Sequence, residues 1–164
     1  MYIYDFIQGL IIGGTLIIAI GPQNLFVIQQ GLKKSYVFTI TLFCSLSDSL
    51  LIVIGIYLSN YIVRINPSII GTIKVLAGIW LIFYGLNKVI KLNQIKDINK
   101  KLNIINEYGK VLITLFLITY ANPHVYLDTI ILLGSLSTNF NDQFSFGVGA
   151  ISASFLFFFS LGYM

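Results

Sequence analysis

Two long apolar runs in this chain are each interrupted near the middle by a proline set among polar residues. The first break is Gly21-Pro22-Gln23-Asn24, and the second is Asn122-Pro123-His124, with Asp128 following. Around these breaks the apolar pattern predicts five spans, over 6–31, 36–62, 68–90, 111–137 and 143–163, the first and fourth being the broken ones. A hydrocarbon core requires about 20 apolar residues per helix, so each run is long enough to cross. A polar break inside such a helix frees backbone groups that find no water in lipid, and it survives only buried in protein or beside a solvated cavity. Breaks in corresponding positions of two halves point to the substrate site of a transporter.

Composition supports an all-α polytopic membrane protein. Of 164 residues, 57% are hydrophobic and 10% charged, against about 25% charged in an ordinary soluble domain. The mean hydropathy is +0.88. No charge falls between Asp5 and Lys33, and Asp48 stands alone between Lys34 and Arg64. The net charge of +4 does not point to nucleic acid, because the lysines lie between apolar runs and form no basic face. The first run lacks the basic start of a signal peptide and continues past that length, which predicts a retained first span. Cys44, the single cysteine, has no internal disulfide partner and reads as a small packing residue.

The lysines orient the chain. Segment 91–110 holds Lys91, Lys96, Lys100, Lys101 and Lys110, and with Lys33, Lys34 and Lys88 it gathers basic charge on one side. The positive-inside rule makes that side cytoplasmic and places the N-terminus outside. Arg64 and the 139–142 connection then fall outside, and Lys74, within span three, could snorkel to the outer interface.

An internal repeat gives the breaks a shared meaning. Pro22 aligns with Pro123, and at a slightly larger offset Ser45, Ser47 and Gly55 align with Ser152, Ser154 and Gly162. A three-helix unit has an odd number of spans, so consecutive copies insert in opposite orientation, as in the inverted repeats of secondary transporters. One transmembrane domain is therefore expected, with 1–90 as the first copy, 91–110 as the cytoplasmic loop and 111–164 as a second copy lacking its third helix.

Asp48 lies near the middle of span two, where a carboxylate is costly and is read as functional. Thr41, Ser45, Asp48 and Ser49 form a polar stripe at helical spacing; the hydroxyls can be interhelical packing, but Asp48 asks for more. In span four His124 and Asp128 share a face if helix continues after Pro123. Asn122 and the carbonyls freed before Pro123 add acceptors. In span one Gly21 and Pro22 break the helix, while Gln23 and Asn24 offer donors and acceptors. The half-helix after Pro22 turns its positive end inward, suited to a carboxylate. Gly9 and Gly13 form a G-x-x-x-G match, read as packing. Metal-ligand spacing, a phosphate-binding loop and a nucleophile elbow are all missing from the sequence, which speaks against an enzyme.

Three stretches, GPQNLFVIQQGLKK at 21–34, CSLSDSLLI at 44–52 and NPHVYLDTIILLGS at 122–135, resemble the lysine exporter family, in particular its lysine and arginine branch. The resemblance runs nearly the whole chain, and His124 with Asp128 sets it apart from the homoserine and threonine branch. It implies a six-helix protein of the bacterial inner membrane that exports L-lysine, L-arginine or an analogue without a cofactor. On that pattern the sixth helix is expected beyond Met164, and an inactive truncated transporter is one alternative. A structural or assembly subunit of a membrane complex is another, and assembly of identical copies stays open.

Charge sets the expected coupling. Moving a cation outward against an inside-negative potential costs about 2.3 kcal/mol per 100 mV, so proton antiport is expected. Asp48, Asp128 and His124 are its candidate proton carriers. Gln23, Asn24, Asn122 and His124 join the two carboxylates as expected substrate-binding residues, with the lipid bilayer, protons and the basic amino acid as partners.

Overall fold

The computed structural model describes residues 2–18, 21–92 and 108–164. Its helices run in chain order as α1 (Ile3–Ile17), α2 (Pro22–Leu32), α3 (Val37–Ile65), α4 (Pro67–Leu92), α5 (Tyr108–Tyr120), a composite α6, and α7 (Gln143–Tyr163). The composite helix α6 opens as Pro123–Tyr126, widens to a π-helical stretch over Leu127–Leu133 and closes as Gly134–Ser137. The described residues form no strand. Most of the expected basic loop, residues 93–107, lies outside the described residues.

The prolines explain where helices begin. All three open a helix, namely α2, α4 and α6, because proline has no N–H to leave unpaired and its φ already suits a first turn. The residue before a proline is driven to extended backbone, as Gly21 (φ −111°, ψ 179°) and Asn66 (φ −155°, ψ 103°) show. At two of these positions the chain turns within an apolar run. The axes of α1 and α2 meet at 84°, and those of α5 and α6 at 57°.

By length and apolarity α3 and α7 can each cross a membrane, and the two bent pairs can each do so as one broken span. Helix α4 occupies the segment expected as span three, and Gly71–Trp80 is an apolar stretch of it. Two to four spans are thus supported where five were expected. Many large apolar side chains face outward, among them Ile11, Leu50, Tyr57, Phe116 and Leu156. In lipid such surfaces are ordinary, so helices associate through close packing of small residues.

That packing is visible along α1 and α7. A Cβ at Gly9 would strike the Phe146 carbonyl, one at Gly13 would press on Ala150, and one at Gly149 would strike the Phe6 carbonyl. The G-x-x-x-G match is therefore a contact seam. Gly55 of α3 meets Ile130 and Gly134 of α6, and Gly162 of α7 meets Gly31 of α2 and Thr41 of α3. Between these crossings, Phe26, Val27, Ile40, Cys44, Val111, Leu115 and Phe158 form one buried cluster, and Ile52, Leu133, Phe146 and Ala150 another.

At one end of the α1–α7 seam, Asp142 caps α7. Its carboxylate accepts from the Ser145 amide (3.1 Å) and hydroxyl (2.5 Å), and from the Tyr2 amide (3.3 Å). The Asp142 amide in turn donates to Asp5 Oδ2 over 2.8 Å, tying α1 to α7. The Ser145 hydrogen bonds hold the Asp142 carboxyl below the usual carboxylate range. A lowered value means that the cap stabilises above the unfolded-state pKa and is lost as pH falls through the folded-state one. Asp142→Ala should lower the thermal midpoint in detergent at neutral pH, and Asp142→Asn, which keeps a cap acceptor, should recover most of it. The deficit of Asp142→Ala should shrink on acidification; a deficit independent of pH would contradict this role.

Lys74 reaches the connection between α6 and α7. Its Nζ donates to Asn139 Oδ1 (2.8 Å) and Thr138 Oγ1 (3.3 Å). That geometry fits the expected snorkelling to the interface on the side of that connection.

Candidate functional site

The two breaks open onto one recess. Gly21, Gln23 and Asn24 come to it from the start of α2, Asp48 from the middle of α3, and Asn122, His124 and Asp128 from the second break and α6. Pro22 and Pro123 set the turns from which these side chains emerge. The expected binding residues are thus drawn from three separate parts of the chain to one place. Leu16, Ile17, Val125, Thr129, Leu133 and Phe158 complete the lining, and nothing in the sequence marked Phe158 out from its apolar neighbours.

Local chemistry holds each polar group in position. Asn24 Nδ2 donates to the Ile17 carbonyl over 3.0 Å, so this side chain closes off an acceptor left at the end of α1. Asn122 Oδ1 accepts from the His124 amide over 3.1 Å, capping the first turn of α6. At the same break Tyr126 Oη donates to the Tyr120 carbonyl (2.7 Å), and Tyr120 Oη donates to Ser47 Oγ (3.1 Å). The freed backbone of both breaks is therefore partly satisfied by side chains, as lipid demands.

The charged groups are few: Asp48 is buried, and His124 and Asp128 are half-buried. Asp48 is 4% exposed, and its Oδ2 accepts from Ser154 Oγ of α7 over 3.2 Å. His124 Nε2 lies 3.3 Å from Asp128 Oδ2, which the i, i+4 spacing allows at the entry to the π stretch. Asp128 Oδ1 is buried without a hydrogen-bond partner among the described residues, and Gln23 Nε2 has none but the Cys44 sulfur. Such atoms are costly unless something else binds them. One is an acceptor and the other a donor, so a solute bearing both a cation and a carboxylate would answer both.

The hydroxyls of α3 behave differently from Asp48. Thr41 donates to the Val37 and Phe38 carbonyls, Ser45 to the Thr41 carbonyl and Ser49 to the Ser45 carbonyl. Each bonds its own helix, which fits packing.

The recess is narrow. Its empty space is about 480 Å³ with the open mouth counted, but only about 50 Å³ would take the centre of a water molecule. A solute the size of an amino acid would have to part the lining helices. No group of three or more metal-ligating side chains occurs among the described residues.

Residues 15–164 match the family described as LysE type translocator. The chain belongs to this family. The LysE type chain is also similar to arginine exporter proteins ArgO of Klebsiella pneumoniae (strain 342) and Escherichia coli (strain K12), each at 36% identity over 98% of this chain and 77% of the relative. The ArgO protein of Salmonella enteritidis PT4 is 35% identical over 95% of this chain and 75% of its own length. No solved structure matches. Membership makes this LysE type protein a membrane transporter and not an enzyme, as its sequence implied.

Proposed function

We propose that this chain exports a basic amino acid, arginine foremost and lysine next, across the bacterial inner membrane in exchange for protons. The observation that carries the reading is the meeting of Asp48, Asp128 and His124 with Gln23 and Asn24 at one recess between two broken helices. The guanidinium of arginine pairs bidentately with a carboxylate, and the ammonium of lysine as a point charge. Gln23, Asn24 and the first turn of α2 offer donors to the substrate carboxylate. Asn122 and His124 line the site. Protonation of Asp48 and Asp128 from outside removes the charge that holds the cation, with His124 beside Asp128 as a third proton acceptor. The names of the three relatives given above, arginine exporter proteins, favour arginine over lysine.

The architecture proposed with this is an inverted repeat, with 1–90 as one copy and 111–164 as the start of the other. The crossings Gly55 on Gly134 and Gly162 on Gly31 are alike in their backbone-close contact, and Gly55 aligns with Gly162, although Gly31 and Gly134 do not fall at the offset of the two prolines. The orientation proposed remains N-terminus outside and segment 91–110 cytoplasmic.

Purified protein in liposomes loaded with unlabelled arginine should accumulate radiolabelled arginine by counterflow. Unlabelled lysine should compete, whereas threonine and homoserine should not. Counterflow no greater than in protein-free liposomes, or equal competition by the neutral amino acids, would overturn the substrate assignment.

A further inference from the structure

We propose that Ser154 is a positioning residue for proton coupling, holding the Asp48 carboxyl in both of its protonation states; this rests on the antiport reading above. Ser154 lies on α7 and is fully buried, and its hydroxyl donates to Asp48 Oδ2 over 3.2 Å. Asp48 lines the recess and Ser154 does not. The serine therefore grips the carboxyl from behind and leaves the side toward the recess for substrate.

A hydroxyl suits this position because it is both donor and acceptor. With Asp48 ionised, the Ser154 O–H donates to it. When Asp48 takes a proton, its own O–H can donate to Ser154 Oγ, while the serine hydrogen turns to a carbonyl of its own helix, a common bond for helical serine. The proton then sits on the α7 side of the carboxyl, away from the departing cation, and neither form is left unsatisfied in a buried place. No proton passes to serine; the hydroxyl only reverses its hydrogen bond.

The surroundings leave few other groups for this task. Asp128 and His124 face the recess from α6, Gln23 and Asn24 from α2 are neutral, and Cys44 lies one turn away on α3. The repeat sharpens the assignment. Ser47, which aligns with Ser154, receives the Tyr120 hydroxyl at the second break, so the matched serines serve different partners.

Two assays in liposomes separate coupling from packing. Arginine counterflow at equal pH requires no net proton movement, whereas uptake driven by an imposed pH gradient does. Ser154→Ala should lower pH-driven uptake about tenfold, the loss expected from removing one hydrogen bond to a charged group. It should lower counterflow by a smaller factor, since no net proton transfer is needed there, and Ser154→Thr should restore pH-driven uptake. A Ser154→Ala protein unchanged in both assays, or reduced in both to the same degree, would overturn the proposal. Asp48→Asn in the same assays reports on the antiport reading itself: if it keeps wild-type pH-driven uptake, that reading fails whatever Ser154 does.

Discussion

If the proposed exchange holds, Asp48→Asn should cut pH-driven arginine transport by about thirtyfold or more. The estimate follows from the cost of removing one member of a buried charge pair, about 2–5 kcal/mol, with each 1.4 kcal/mol worth about a factor of ten. Asparagine is nearly isosteric, and its amide oxygen can still accept from Ser154, so the fold should persist. What disappears is the charge proposed to pair with the substrate cation and to take the proton. Asp128→Asn should act in the same direction, because the Asp128 carboxyl has one oxygen near His124 and the other without a partner among the described residues. Initial rates of pH-driven uptake, normalised to protein incorporated, test both. Wild-type rate and pH response in Asp48→Asn would remove that residue from the scheme.

The second large effect is on folding. At Gly134 an added Cβ would collide with the Gly55 backbone and come within 2.8 Å of Ser59 Oγ, and backbone cannot yield as a flexible side chain can. Gly134→Ala should cost about 1–3 kcal/mol as overpacking. Gly134→Leu should prevent the α3–α6 crossing and abolish recovery of monodisperse protein from membranes. Because this crossing sets α6 beside α3, transport should fall with the folded fraction. A Gly134→Leu protein recovered in normal yield with normal melting would show that the crossing is looser than described. Gly21→Ala is a useful contrast, since nothing lies within 4 Å of a Cβ there.

These two effects also mark what could be read from the chain before its structure. The breaks were legible because Pro22 and Pro123 each forbid a helical hydrogen bond and sit among side chains unwanted in lipid. Asp48 was legible because a lone carboxylate in the middle of an apolar run has few structural explanations. The seam at Gly9 and Gly13 followed from spacing alone. The π stretch at Leu127–Leu133 was not legible: over seven residues of mostly leucine and isoleucine, the apolar pattern cannot distinguish an i to i+5 ladder from an i to i+4 one. Nothing near Asp5 in the sequence marks it as buried, because its 4% exposure goes with its contact to the cap of α7, distant in sequence. Ser154 entered only as a repeat match, because a serine in an apolar helix normally bonds its own backbone. Its contact with Asp48 joins residues 106 apart. Asn24 was expected to face substrate, and it lines the recess while also holding the Ile17 carbonyl, a duty that the pattern of residues does not reveal.

The narrowness of the recess bears on how transport would proceed. The lining side chains of Asn24 and Asn122 are tied to neighbouring backbone at the two breaks, while the half-helices themselves meet α1 and α5 at steep angles. Movement of these half-helices about Gly21-Pro22 and Asn122-Pro123 is the simplest way to admit an amino acid, consistent with alternating access around a fixed midplane site.

The most direct test is simultaneous measurement of arginine efflux and proton entry in liposomes containing the purified chain, with an internal pH indicator and a clamped membrane potential. Saturable arginine efflux should be accompanied by proton entry in fixed proportion, and both should vanish together in Asp48→Asn. Arginine efflux without proton movement, or proton entry that continues unchanged when Asp48 is replaced, would contradict exchange at the two broken helices.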